Sequence, residues 1–96
     1  MSPEQQASRG DAAERLLKDE LLNEAFNVLE QEYTKLWKQT NPSDEAAREK
    51  LWMSLRQLEM VRAQLHSVVQ TGKVAKATLA QRAKAALQSG LTRSRS

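Results

Sequence analysis

The chain has 96 residues, enough for one small domain at most. It contains no cysteine, which excludes disulfides, thiolate zinc sites and a thiol nucleophile. Its net charge of +3 conceals an uneven distribution. The twelve acidic residues all lie between Glu4 and Glu59, where they outnumber eight basic ones, whereas Met60 to Ser96 carries seven basic residues and no acid. A basic, acid-free end is typical of chains that meet a polyanion.

The first ten residues are polar and contain Pro3 and Gly10, which predicts a disordered N-terminus over 1–10. They lack the basic and apolar regions of a secretory signal. No run in the sequence approaches the roughly eighteen apolar residues of a membrane span. We therefore expect no membrane association and a cytoplasmic location.

A first helix is predicted over 11–39, with Asp11 as N-cap and Glu14 three residues later. Apolar residues recur along it at alternating steps of four and three, which places them on one helical face. They are Leu22, Phe26, Leu29, Tyr33 and Leu36. A second, adjoining stripe consists of Leu17, Leu21, Ala25 and Val28.

Asn41-Pro42 interrupts this pattern, so we predict a turn over 40–43 and a second helix over 44–71. Gly72 is predicted to end that helix as a left-handed C-cap residue. If the helices form an antiparallel hairpin about the turn, facing residue numbers sum to about 84. Five apolar pairs then meet: Leu36–Ala47, Tyr33–Leu51, Leu29–Leu55, Phe26–Leu58 and Leu22–Val61.

A two-helix hairpin cannot cover every apolar residue it carries, and an exposed apolar patch usually marks an interface. Either the C-terminal tail helix folds back over this patch or a second copy covers it. Because a thin, alanine-rich helix would cover it poorly, we predict self-association, by an antiparallel dimer that makes a four-helix bundle or by a ring of hairpins. The predicted interface comprises Leu17, Leu21, Ala25, Val28, Trp52 and Met60. Trp52 has two interpretations of equal weight, an interface anchor or a side chain packed on Trp37 or the Lys35 stem.

The segment 73–96 is rich in alanine, lysine and arginine, which predicts a partly helical basic tail with a third helix that ends near Gly90. Candidate polyanion-binding residues are Lys73, Lys76, Arg82, Lys84, Arg93 and Arg95. The tail has no aromatic residue to stack on bases, so any nucleic-acid binding would be nonspecific. The alternative interpretation is a solvated tail that only favours solubility.

The sequence offers no catalytic, metal or cofactor site. His66 is the only histidine, and a di-iron bundle would need glutamate at position 63, where alanine stands. Thr71-Gly72-Lys73 lacks the preceding strand and the earlier glycine of a phosphate-binding loop. We therefore predict that the chain is not an enzyme and takes no cofactor.

Five parts of the chain share a pattern with a known group of proteins: residues 13–17, Phe26, Trp37, residues 47–52 and residues 69–73. In these parts the chain resembles small α-helical proteins encoded in tailed-phage and prophage genomes, among the structural and packaging genes. The basic tail from Lys76 onward is outside the resemblance. The resemblance implies a virion, scaffold or packaging accessory protein, with phage head or packaging proteins as partners and a location in the host cell or the virion.

The sequence therefore predicts an all-α fold, a long antiparallel hairpin with a third basic C-terminal helix, completed by oligomerisation. The favoured function is non-enzymatic phage assembly through self-association and a basic tail. Two alternatives stay open: a helical bundle that binds nucleic acid nonspecifically, and a small phage-encoded inhibitor or adaptor of a host protein.

Overall fold

The chain is an all-α rod in the computed structural model, which describes the backbone of residues 1–95 and the side chains of residues 1–90. Its helices are α1 (Pro3–Lys18), α2 (Glu20–Gln39) and α3 (Glu45–Arg95). The rod measures 80 × 25 × 16 Å. Its length is that of α3, because 51 helical residues span about 76 Å. The predicted all-α fold is confirmed.

The N-terminus is helical, so the prediction of disorder over 1–10 is wrong. Ser2 and Gln5 form a capping box, in which each side chain accepts a hydrogen bond from the other residue's backbone N–H. Pro3 occupies the first turn, where its missing N–H costs no hydrogen bond. Asp11 is consequently an interior residue of α1 and not its N-cap.

The predicted continuous helix over 11–39 is broken at Asp19, which has extended backbone angles (φ −69°, ψ 119°). The Asp19 carboxylate accepts a 2.8 Å hydrogen bond from the Leu22 N–H and so caps α2. The Asn23 amide donates to the Leu17 carbonyl at 2.8 Å, which satisfies the end of α1. One residue therefore ends one helix and begins the next.

The connection between α2 and α3 has a cap on each side. Thr40 donates its hydroxyl to the Trp37 carbonyl at the end of α2, and the Asp44 carboxylate accepts from the Ala47 N–H at the start of α3. Between them the Asn41 side chain accepts from the Ser43 N–H, as in an Asx turn. This connection reverses the chain, so α2 returns along α3.

Gly72 does not end a helix, contrary to the prediction, because α3 continues through it to Arg95 and no described glycine has positive φ. The proposed third helix is thus the second half of α3. Gly72 instead permits a close helix contact, since a Cβ placed on it would lie 2.7 Å from the Gly10 Cα. A Cβ on Gly10 would lie 2.8 Å from the Gly72 Cα.

The most deeply buried part of the molecule surrounds this glycine contact between α1 and α3. Ala13 and Ala75 each expose 3% of their surface, and Val69 is also buried. Among the described residues no large side chain is fully buried. Small residues therefore produce the closest packing, while most of the large apolar residues stay partly open to water.

Three cationic side chains of α3, spaced fourteen residues apart, bind the other two helices. They are Arg48, Arg62 and Lys76, which we call the cationic clamps. The Arg48 guanidinium lies 4.1 Å from the centre of the Trp37 ring and donates to the Thr40 hydroxyl at 3.0 Å. The first clamp thus joins α3 to the end of α2, through a cation–π contact and a hydrogen bond.

The second clamp is Arg62, which makes three contacts with α2. It lies 3.1 Å from the Glu30 carboxylate, donates to the Asn27 side chain at 3.2 Å and covers the Phe26 ring at 4.8 Å. The third clamp joins α3 to α1, because the Lys76 ammonium pairs with the Asp11 carboxylate. The order of these contacts along the chain establishes that α2 and α3 are antiparallel.

The ten residues of the predicted apolar pairs differ in exposure, and seven of them are half-buried, including both members of Tyr33–Leu51 and of Phe26–Leu58. Leu29, Leu36 and Val61, each a member of one pair, are all exposed. Arg48 and Arg62 lie over the Trp37 and Phe26 rings, so cationic side chains take part in the contact between α2 and α3 beside the apolar ones.

Candidate interaction surfaces

The side of α2 that faces away from α3 carries a row of exposed apolar residues, which we call the α2 stripe. Successive members are separated by one, three, four or seven residues, so they lie along one side of the helix. Leu21 is 74% exposed, and the other large members also lie in water. The α2 stripe consists of Leu21, Ala25, Val28, Leu29 and Leu36.

The α2 stripe contains three of the six residues predicted for an interface, namely Leu21, Ala25 and Val28. Its other two members, Leu29 and Leu36, were predicted to lie in the hairpin core. Leu29 and Leu36 were assigned to that core because their spacing fits the Phe26 face equally well. The predicted member Leu17 is separated from the stripe, because the break at Asp19 puts it on α1, where it is half-buried.

The two predicted interface residues of α3, Trp52 and Met60, are both exposed. Trp52 exposes 60% of its surface, while the ring of Trp37 is covered by Arg48. The Trp37 ring is therefore shielded from water by Arg48 and not by the mostly exposed Trp52. Eight helical residues rotate by about 80°, so Trp52 and Met60 lie on adjoining parts of one side of α3.

The predicted polyanion-binding residues do not act as one cluster. Lys76 is paired with Asp11 across helices, so its charge is partly compensated. Lys73, Arg82 and Lys84 are exposed, and none of the ion pairs of the described residues includes them. The side chains of Arg93 and Arg95 lie outside the described residues.

A further apolar row lies in the C-terminal part of α3. Beyond the part of α3 that contacts α1, the spacing 79, 83, 86 and 87 places Leu79, Ala83, Ala86 and Leu87 on one helical face, which we call the tail stripe. Leu87 is 70% exposed. The signal was present as a helical period, but its alanines make a weak apolar pattern.

Among the described residues, no group of three or more histidine, cysteine, aspartate or glutamate side chains lies together as metal ligands would. A surface depression along α2 is lined by Glu30, Thr34, Lys35, Lys38 and their neighbours. All of its lining residues belong to one helix, so it cannot enclose a substrate from several sides. In the described part of the chain, no helix has the length and hydropathy needed to cross a membrane.

Comparison with family models, with curated proteins and with solved structures finds no match to this chain. The geometry of the exposed surfaces is therefore the basis for a functional proposal.

Proposed function

We propose that this chain is a non-enzymatic assembly protein that acts by self-association, in the setting of a tailed-phage virion, scaffold or packaging accessory component. The observation that carries the self-association is the α2 stripe, on a rod whose described residues include no fully buried large side chain. Burial of apolar surface contributes about 25 cal/mol per Å², so covering such a stripe favours association strongly. The phage setting rests on the sequence resemblance alone.

The first test compares two substitutions by light scattering behind a sizing column and by circular dichroism. Leu21→Asp places a charge in the α2 stripe, where the free chain already meets water, so helicity is expected to stay and the oligomer to dissociate. Leu55→Asp places a charge at a half-buried position between α2 and α3, and should reduce helicity as well. Equal loss of helicity in both variants would contradict the assignment of Leu21 to an interface.

The matched control is Gln31→Asp, which adds the same charge at an exposed position of α2 outside the stripe. It is expected to leave the oligomer intact. A wild-type chain that is monomeric at every concentration would contradict self-association. The inhibitor or adaptor function would then be the better proposal, with a host protein covering the α2 stripe.

A second candidate function is nonspecific binding of nucleic acid, favoured by the exposed and unpaired Lys73, Arg82 and Lys84. Each phosphate contact releases counterions and contributes about −0.9 to the slope of log affinity against log salt on duplex DNA. Three such contacts predict a slope of about −3. Binding that is independent of salt, or unchanged when these three residues become glutamine, would contradict this function.

A further inference from the structure

We propose that the tail stripe of one copy docks on the α2 stripe of a second copy, so that each rod uses its free end to cover the hairpin of its partner. This inference rests on the proposed self-association and specifies which surfaces meet. It identifies one occupant for the exposed face of α2, namely residues 79–90 of another chain.

The first argument is that the tail stripe continues a face of α3 that already binds a helix. Val69, Gly72 and Ala75 contact α1 or are buried beside it, and Leu79, Ala83 and Ala86 follow on the same side of α3 at helical spacing. Residues 80–90 are all exposed. A face that packs a helix over one part of its length is thus left uncovered over the next part.

The second argument is that the chain's own α2 cannot reach this face. Within one molecule α2 contacts α3 at Arg48 and Arg62. The tail stripe begins at Leu79, seventeen residues beyond Arg62, which corresponds to about 25 Å along the helix. Since α3 is continuous from Glu45 to Arg95, it has no hinge that would fold the tail back. Only another copy can bring the two stripes together.

The third argument is complementary charge beside complementary apolar rows. Arg82 and Lys84 flank the tail stripe on its two sides, and residues 60–96 contain no acid. On α2, exposed Glu32 lies within the stripe, between Leu29 and Leu36, and exposed Glu24 and Lys35 lie beside it. The two carboxylates outnumber the one cation, so a tail stripe flanked by two cations fits the α2 stripe better than a second α2 stripe would.

The shorter row also fits within the longer one. The α2 stripe spans about 22 Å from Leu21 to Leu36, and the tail stripe spans about 12 Å from Leu79 to Leu87. If each of two chains gives its tail to the other, both contacts form in one closed dimer with twofold symmetry.

The test uses the absence of cysteine from the 96-residue sequence. A chain carrying Ala25→Cys in the α2 stripe is mixed with a chain carrying Ala83→Cys in the tail stripe, and disulfide-linked product at twice the 10.8 kDa chain mass is quantified. The control replaces the second chain with Ala85→Cys, which lies about 200° around the same helix. We expect about tenfold more cross-linked product with Ala83→Cys than with Ala85→Cys, the ratio that a 1.4 kcal/mol preference gives.

A second readout measures the oligomer by light scattering. Leu87→Asp in the tail stripe is expected to dissociate it, while Gln81→Asp, on the opposite side of the same helix segment, leaves it unchanged. An oligomer that survives Leu87→Asp, or cross-linking in which Ala25→Cys chains pair only with each other, would overturn the tail docking and leave self-association standing. A wild-type chain that stays monomeric would overturn both proposals.

Discussion

The contact of α1 with α3 and the contact of α2 with α3 are built on opposite principles. In the first, Gly10 and Gly72 let two helix backbones approach closely, and small residues around them are buried. In the second, Arg48 and Arg62 hold the helices together over aromatic rings, while Leu29 and Leu36 remain exposed. Close packing and apolar burial are therefore separated in this rod. The contact between α1 and α3 fixes those two helices against each other, and the contact between α2 and α3 leaves apolar residues of α2 exposed to a partner.

The largest expected effect comes from breaking the tight contact with Gly72→Leu. The new Cβ would lie 2.7 Å from the Gly10 Cα, and a backbone atom cannot move aside as a flexible side chain would. Overpacking of this kind costs about 1–3 kcal/mol. We expect α1 to detach, so that hydrogen exchange of the amides in 3–18 accelerates by an order of magnitude or more while the amides of α2 keep their protection.

Gly90→Leu serves as the matched control for that substitution. No atom lies within 4 Å of a Cβ at Gly90, so the same side chain meets open space there. Leucine also favours helix over glycine, so α3 should become slightly more stable. Equal acceleration of exchange in α1 for both variants would show that the Gly10–Gly72 contact does not hold α1 in place.

A smaller effect is expected from Arg62→Gln, which removes the second clamp. The variant loses the ion pair with Glu30 and the cation–π contact with Phe26 in a partly buried setting, which together contribute about 1–2 kcal/mol. Thermal unfolding followed by circular dichroism should shift to lower temperature. Arg56→Gln is the control, because Arg56 pairs only with Glu59 on the exposed surface of α3, and it should change stability by less than about 0.5 kcal/mol.

The smallest effect is expected from Asp11→Asn, which weakens the ion pair with Lys76. Both side chains are about half exposed, so the pair is screened by salt and contributes at most about 0.5 kcal/mol. Exchange of the α1 amides should accelerate slightly at low salt and match wild type at high salt. Glu14→Gln, which alters a pair within α1, should leave the contact between α1 and α3 unaffected. If Asp11→Asn accelerated exchange of the α1 amides equally at low and high salt, Asp11 would stabilise α1 by something other than its ion pair with Lys76.

The sequence predicted what depends on neighbours along the chain and missed what depends on distant residues. The hairpin follows from Asn41-Pro42 and from the apolar period on each side, all of which are local signals. Gly72 was predicted to end a helix, because many helices end at a glycine. Its packing partner Gly10 lies 62 positions earlier in the sequence, so the sequence around Gly72 does not reveal the contact. The residues around each glycine do not indicate that Gly10 and Gly72 lie in contact, where a Cβ on either one would prevent the close approach of the two helices.

The N-terminal helix was a different kind of miss, since its signal is local. Ser2, Pro3 and Gln5 form the pattern of a capping box with proline in the first turn. Residues 1–10 contain few large apolar side chains, so they have little apolar surface to bury and were predicted to be disordered. The break at Asp19 was hidden because the apolar spacing continues across it, from Leu17 to Leu21, although aspartate is favoured at a helix N-cap.

The fourteen-residue spacing of the cationic clamps has a geometric consequence for the whole rod. In a straight α-helix the same face drifts by about 20° every seven residues, so Arg48, Arg62 and Lys76 point in directions that differ by about 80° in total. All three nevertheless reach α1 or α2. The clamps therefore hold α2 and α1 along an arc of about 80° on α3, and the single extended residue at Asp19 separates the part of that arc covered by α2 from the part covered by α1.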